Sequence, residues 1–333
     1  MHRPKKMIFL ILIILIALTF CFFFVGQPKP AENIKWGVVF SQKHSELFGL
    51  DWKENYLAIL DDLKVKHLKI VAYWDLIEKE PGVYDFEGMD FQVEEAEKRG
   101  VKLLFVLGQK VPRWPECHFP GWTGELTKEE RNQRVLEFIE KVVLRYRDSE
   151  AIEFWQVENE PFFIFGECPP PDEKFLRKEV DLVKSLDNER QIVITESGEL
   201  LLWFKAARFG DIVGHTLYRE IWVSELKRYF NYPFPPVFYN RKAWLVNKFV
   251  GKEVMCVELQ AEPWGPVLLY DLPLEEQEKT MDLDQFKKNI SFAKRTGIDT
   301  FYLWGSEWWY WMKEIHKDDA IWKEAQKLFI LEK

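Results

Sequence analysis

The sequence has no grouping of metal-ligand residues. Its six histidines are scattered, with no H-x-x-x-H or C-x-x-C spacing, so no metal site is expected. No Gly-rich turn follows the first strand-like run. After Trp36-Gly-Val-Val-Phe-Ser41 comes Gln-Lys-His-Ser-Glu, which argues against a phosphate loop or a dinucleotide fold, and no cofactor is expected. Positive charge is not in excess either. The formal net charge of −8 argues against a nucleic-acid partner held by phosphate neutralisation. No internal repeat, second domain or obligate protein partner is evident. Cysteine is sparse, at four residues. Cys21 lies in an apolar run and Cys256 in a strand-like apolar stretch, where it reads as a small core residue. Cys117 and Cys168 lie in Pro-rich loops and could pair in an oxidising compartment.

Aromatic residues are abundant. Fifteen Trp and 27 Phe exceed what a core of this size needs. Bulky packing accounts for most of the Phe. Trp carries an N–H that needs a partner, and many of these Trp follow predicted strands, where loops build sites. Indole faces stack on the C–H faces of sugar rings, so a Trp-rich cleft points to carbohydrate.

The N-terminus opens with His2, Arg3, Lys5 and Lys6, followed by the apolar run Met7 to Val25. As a helix this run is about 28 Å long, close to the thickness of a bilayer's hydrocarbon core. Residues 1–26 are therefore expected to form a membrane anchor, with the basic flank cytoplasmic and the remaining chain outside. A cleaved signal peptide is the alternative, though no A-x-A-like site follows. A lipoprotein is disfavoured, because Phe20 precedes Cys21. Residues 27–33 (QPKPAEN) read as a short polar tether, and 34–333 as a single domain.

From residue 34 on, short apolar runs alternate with longer stretches of helical periodicity. The predicted strands are Trp36–Ser41, Leu68–Trp74, Lys102–Gly108, Ile152–Val157, Gln191–Thr195, Asp211–His215, Glu253–Glu258 and Thr300–Trp304. Predicted helices between and after them include Asp51 to Leu63, Lys128 to Tyr146, Asp172 to Leu186, Leu200 to Phe209 and Leu283 to Arg295. Eight such alternations predict an α/β fold of the (β/α)8 type, the TIM barrel. The longest irregular insertion, Arg219 to Asn240, follows the sixth strand. The loops carrying Cys117 and Cys168 follow the third and fourth strands. They are neighbours at one rim, which makes a disulfide there plausible if the Cα atoms lie within about 7 Å.

In such a barrel the chemistry sits at the C-terminal ends of the strands. The fourth strand runs into Glu158-Asn159-Glu160-Pro161, and the seventh ends at Glu258 before Leu-Gln-Ala-Glu262. Two facing carboxylates are what glycoside hydrolysis needs. One donates a proton to the leaving oxygen, and the other attacks the anomeric carbon or activates water. Glu158 and Glu262 are the neighbouring alternatives, and Glu196 could be a subsite residue or a helix-capping acid.

Asn159-Glu160-Pro161 resembles the Asn-Glu-Pro signature of the clan A (cellulase-like) glycoside hydrolases, of the family 5 and family 42 type. So do Trp74-Asp-Leu-Ile-Glu-Lys-Glu-Pro-Gly-Val-Tyr-Asp-Phe86, Asp211-Ile-Val-Gly-His-Thr-Leu-Tyr218 and Trp304. The resemblance implies a retaining glycosidase. Glu160 would be its acid/base, Glu258 its nucleophile and Asn159 the partner of the sugar 2-OH. His215 or Tyr218 would orient Glu258, Trp304 would floor the reacting subsite, and Trp74 is expected among the substrate contacts. The Arg that often ends strand two in this clan has no obvious counterpart; Lys69 and Tyr73 are nearby, and neither is a clear substitute. The expected partners are an oligo- or polysaccharide substrate and, through the N-terminal helix, a membrane. A transglycosylase and a catalytically silent glycan-binding barrel are the alternatives. A lyase or aldolase would want a Schiff-base Lys or a metal cluster at the strand ends.

Overall fold

The computed structural model describes residues 3–330; His2 and the chain end from 331 to 333, parts of the anchor and domain ranges above, lie outside the described residues. Eight parallel strands close into a barrel. They are β1 (Lys35–Val39), β2 (His67–Val71), β3 (Lys102–Leu107), β4 (Ile152–Val157), β5 (Gln191–Glu196), β6 (Ile212–Leu217), β9 (Glu253–Gln260) and β10 (Thr300–Trp304). An added antiparallel hairpin, β7 (Glu220–Val223) and β8 (Arg228–Asn231), stands between β6 and β9. The neighbours run β1-β2-β3-β4-β5-β6-β9-β10, and β10 pairs back onto β1 with Trp36 level with Phe301.

Each predicted strand is present, with ends moved by a few residues. The shift that matters is in β2, which stops at Val71. Trp74 instead opens a helical turn, Trp74–Ile77. The predicted helix Leu200–Phe209 shrinks to one turn, Phe204–Ala207, and helices not foreseen appear at Gln42–Leu47, Leu274–Gln277 and Ser306–Glu314. The helix Trp52–Asp61 starts where Asp51 accepts the N–H groups of Lys53 and Glu54, and Glu173–Leu186 is capped in the same way by Asp172. The helix Lys128–Tyr146 carries a full capping box, Thr127 with Glu130.

Strand alternation divides the core in two. Inside the barrel, Val39, Leu104, Val193, Met255, Val257 and Tyr302 fill the centre. The outward-facing set, such as Phe105, Trp155 and Cys256, packs under the surrounding helices. Residues 27–33 pass close to the barrel at Gly297. Pro28 and the carbonyl of Lys29 come within 4 Å of where a Cβ on Gly297 would stand.

Candidate active site

One break in the alternation positions the site. On both flanks the pairing of β9 slips by one residue: His215 pairs with Cys256, but Thr216 pairs with Glu258. The extra residue is a β-bulge, which re-aims the side chains that follow it. Without it Glu258 would share the outward face with Cys256. With it Glu258 stands level with Thr216, whose hydroxyl donates to Oε1 of Glu160 at 3.2 Å. Glu160 sits just past β4 with φ of 41°, and its N–H donates to Thr195 Oγ1 at 2.7 Å.

Glu160 and Glu258 are both buried and both line one cleft of about 1170 Å³. Burial, and then the negative charges of Glu258 and Glu116, push Glu160 up to about 8, so it holds its proton at neutral pH. Glu258 has different company. The fully buried ammonium of Lys69 donates to its Oε1 at 2.8 Å, and the Tyr218 hydroxyl donates to its Oε2 at 3.1 Å.

The structure corrects two of the expected site residues. His215 is fully buried on the outward face of β6, stacked on Trp203 at 4.5 Å, with Nδ1 at 2.8 Å from the Thr216 carbonyl. Burial drives its pKa down to about 3. It therefore does not orient Glu258; Tyr218 does, because it lies past the strand end and turns into the cleft. Trp74 is also fully buried, packed edge-on to Trp122 and stacked on Phe138, with its N–H on Glu78 at 2.7 Å. It belongs to the helix layer because β2 ends before it.

Asn159 lines the cleft, and its Nδ2 donates to Glu116 Oε2 at 3.1 Å. Trp304 ends β10 at the cleft floor, with its N–H on Glu262 at 2.7 Å and the Arg113 guanidinium 3.8 Å from its ring centre. Arg113 also bonds Glu262 and, at 2.9 Å, Glu307, whose other oxygen accepts the Ser41 N–H. Burial works against the Arg113 charge, but these carboxylates outweigh it and hold the guanidinium above its usual range. Gly305 keeps this knot tight: its φ is 138°, and a Cβ there would meet Glu262 Cβ at 2.7 Å. Cys117 and Cys168 form a disulfide with Cα atoms 5.3 Å apart, tying the loops after β3 and β4.

Lys69, Glu116 and Arg113 were missed as site residues. Lys69 did carry a signal, as a lone charge in the inward register of an otherwise apolar strand. Glu116 and Arg113 sit in a loop with positive φ at both positions, 74° and 84°, which no periodicity reveals. Glu158, two residues before Glu160, turns away: it accepts the N–H groups of Gln109 and Lys110 at 2.8 and 2.7 Å and joins the loops after β3 and β4. Glu196 faces outward and accepts the Ala206 N–H at 3.2 Å, a helix-capping role. Among the described residues, no group of three His, Cys, Asp or Glu is placed to hold a metal.

The closed ring of eight parallel strands with helices around it defines the protein's class of fold as a (β/α)8 TIM barrel. Comparison with known proteins agrees. The chain is 34% identical over 88 residues to a mannan endo-1,4-beta-mannosidase F of Aspergillus fumigatus, covering 24% of this chain and 19% of that protein. It is 24% identical over 173 residues to mannan endo-1,4-beta-mannosidase 1 of Solanum lycopersicum, covering 42% of this chain and 43% of that protein. The chain thus spans less than half the length of these curated relatives. Xylanase 10B from Thermotoga petrophila, solved with xylobiose, superposes with a TM-score of 0.55 at 16% identity, covering 89% of this chain and 94% of that one. No family model matches the chain.

Proposed function

We propose that the protein is a retaining glycoside hydrolase acting on β-linked oligo- or polysaccharides outside the cytoplasm. The observation that carries this is the pair of buried carboxyls at the ends of β4 and β9, one protonated and one faced by an ammonium. In the first step Glu258 attacks the anomeric carbon. The bond to the leaving oxygen breaks, and Glu160 gives that oxygen its proton. In the second step Glu160, now a carboxylate, takes a proton from water, and the water oxygen displaces Glu258 from the sugar. Tyr218 and Lys69 hold Glu258 in place, and Asn159 with Glu116 faces the 2-position. Trp304 offers a ring face to the reacting sugar.

Because both curated relatives are named as mannan endo-1,4-beta-mannosidases, β-1,4-linked mannose is the first substrate to try. The helix Arg3–Phe24, with mean hydropathy 3.2 over Met7–Phe24, is read as an uncleaved anchor. The test is hydrolysis of aryl β-glycosides and manno-oligosaccharides beside Glu160→Gln and Glu258→Gln. Turnover of one sugar, lost by about 10³-fold or more in each variant, supports the assignment. Binding without turnover replaces it with a glycan-binding barrel, and transfer to an acceptor sugar instead of water replaces it with a transglycosylase.

A further inference from the structure

The N-terminal helix does not hang free of the barrel. Its last residues, Phe22, Phe23 and Phe24, are half-buried against the helix Pro236–Val250 and the loop before it. The Phe22 ring meets Trp244 at 5.9 Å, Phe23 and Phe24 each meet Phe238 at 5.8 Å, and Phe24 meets Phe234 at 6.2 Å. The Arg241 guanidinium lies 5.1 Å from the Phe22 ring.

These contacts set a direction. Pro236 follows β6 and the hairpin, so its helix begins at the cleft rim. The helix ends at Val250, just before β9 starts from the opposite rim. Phe24 touches the beginning of this helix and Phe22 its middle. Passing back along the N-terminal helix therefore leads away from the cleft.

Length adds a second constraint. Three apolar residues of the span are already spent on the barrel. The stretch Met7–Cys21 left for lipid is about 22 Å long as a helix, short of a hydrocarbon core of about 30 Å. Spanning then requires the bilayer boundary to rise to Phe22–Phe24, and so to the flank of the helix Pro236–Val250. On that flank Trp244 is 45% exposed and Phe249 is 69% exposed, with Lys248 exposed between them. Exposed aromatic rings beside a long basic side chain suit the headgroup layer. There the rings enter the acyl boundary and the ammonium stays in water.

We propose that the face carrying Trp244, Lys248 and Phe249 docks on the bilayer interface itself, so that the catalytic cleft points away from the membrane that holds the protein. This rests on the reading of the N-terminal helix as an uncleaved anchor. Free of that helix, Phe234, Phe238 and Trp244 would lose the rings of Phe22, Phe23 and Phe24 and keep only their neighbours within the barrel.

The test uses the full chain with Cys21→Ser, placed in nanodiscs of phosphatidylcholine and phosphatidylglycerol. Single nitroxide labels go on Phe249→Cys, on Asn247→Cys (which leaves both aromatics in place) and on Leu226→Cys, at the hairpin turn beside the cleft. Collision with oxygen, which favours lipid, is compared with collision with a water-soluble nickel chelate. The expected result is a higher oxygen-to-nickel ratio at 249 and 247 than at 226. Equal, water-like ratios at all three overturn the docking. The intact mass of the membrane-extracted chain separates the two readings. A chain shortened by its first residues overturns the anchor and the docking together. An intact chain with water-like labels overturns the docking alone.

Discussion

At the scale of single residues, the site is a contest between burial and charge. Glu160 is pushed up to about 8 by burial and by two acidic neighbours. The proposed mechanism needs this group protonated, so on that proposal the rate should fall as pH rises through about 8. Burial pushes Glu116 itself up to about 8, so it becomes charged over the same range, and Glu116→Gln removes that charge while keeping an oxygen for Asn159. Ionisation of Glu160 becomes easier, and the alkaline limb of the kcat/KM profile should move to lower pH; an unmoved limb would separate Glu116 from the acid. Lys69→Met leaves Glu258 buried beside an apolar chain. Breaking a buried pair in this way costs about 3–5 kcal/mol. The variant should melt earlier and lose about 10²-fold or more in kcat/KM, readable by thermal unfolding and steady-state kinetics. The two glutamates were legible from their places at strand ends. Lys69 stands out as a lone charge in β2, but nothing in a linear pattern shows which carboxylate an inward lysine will meet across the barrel.

At the scale of elements, capping and alternation explain most of the architecture, and the exceptions make the site. The slip in β9 is one residue long, and it decides whether Glu258 faces the barrel interior or the helices. The same alternation, unbroken in β6 up to His215, places that histidine among the helices. The disulfide joins two loops that each carry site residues: Glu116 precedes Cys117, and Glu160 lies eight positions before Cys168. Replacing both cysteines by Ser frees a loop of 51 residues' separation. That change should cost about 4 kcal/mol of stability by chain entropy. It should also lower kcat more than it raises KM if the loops hold the acid and its neighbours in register. Comparing chemical denaturation and kinetics of the double variant with the parent checks both. If stability falls and kcat stands, the bridge serves the fold and not the site.

At the scale of the whole molecule, one barrel carries two sets of surface. Its C-terminal strand ends hold the cleft, and its flank at Pro236–Val250 holds the N-terminal helix. The proposed reading of the N-terminal helix as an anchor predicts that the full chain stays in the membrane pellet through an alkaline carbonate wash and is released by detergent. A chain beginning after Gly26 should be soluble and keep its kcat on small aryl glycosides, since no cleft residue lies before β1. Loss of catalysis on that truncation would mean that the helix shapes the site through Phe234 and Phe238.

What the sequence determined by itself was whatever follows from local pattern. The count of strands, the helix caps, the apolar span and the two acids at strand ends each rest on a few neighbouring residues, because side-chain period and cap chemistry are local. The tertiary structure alone decided the rest. Closure of the barrel brought Lys69 to Glu258, residues 189 positions apart. A one-residue bulge turned Glu258 inward, and the early end of β2 took Trp74 out of the cleft. Folding also laid the last residues of the N-terminal helix against Phe238, a contact between residues more than 200 positions apart. Each of these depends on which distant side chains share a buried volume, and burial is a property of the closed barrel.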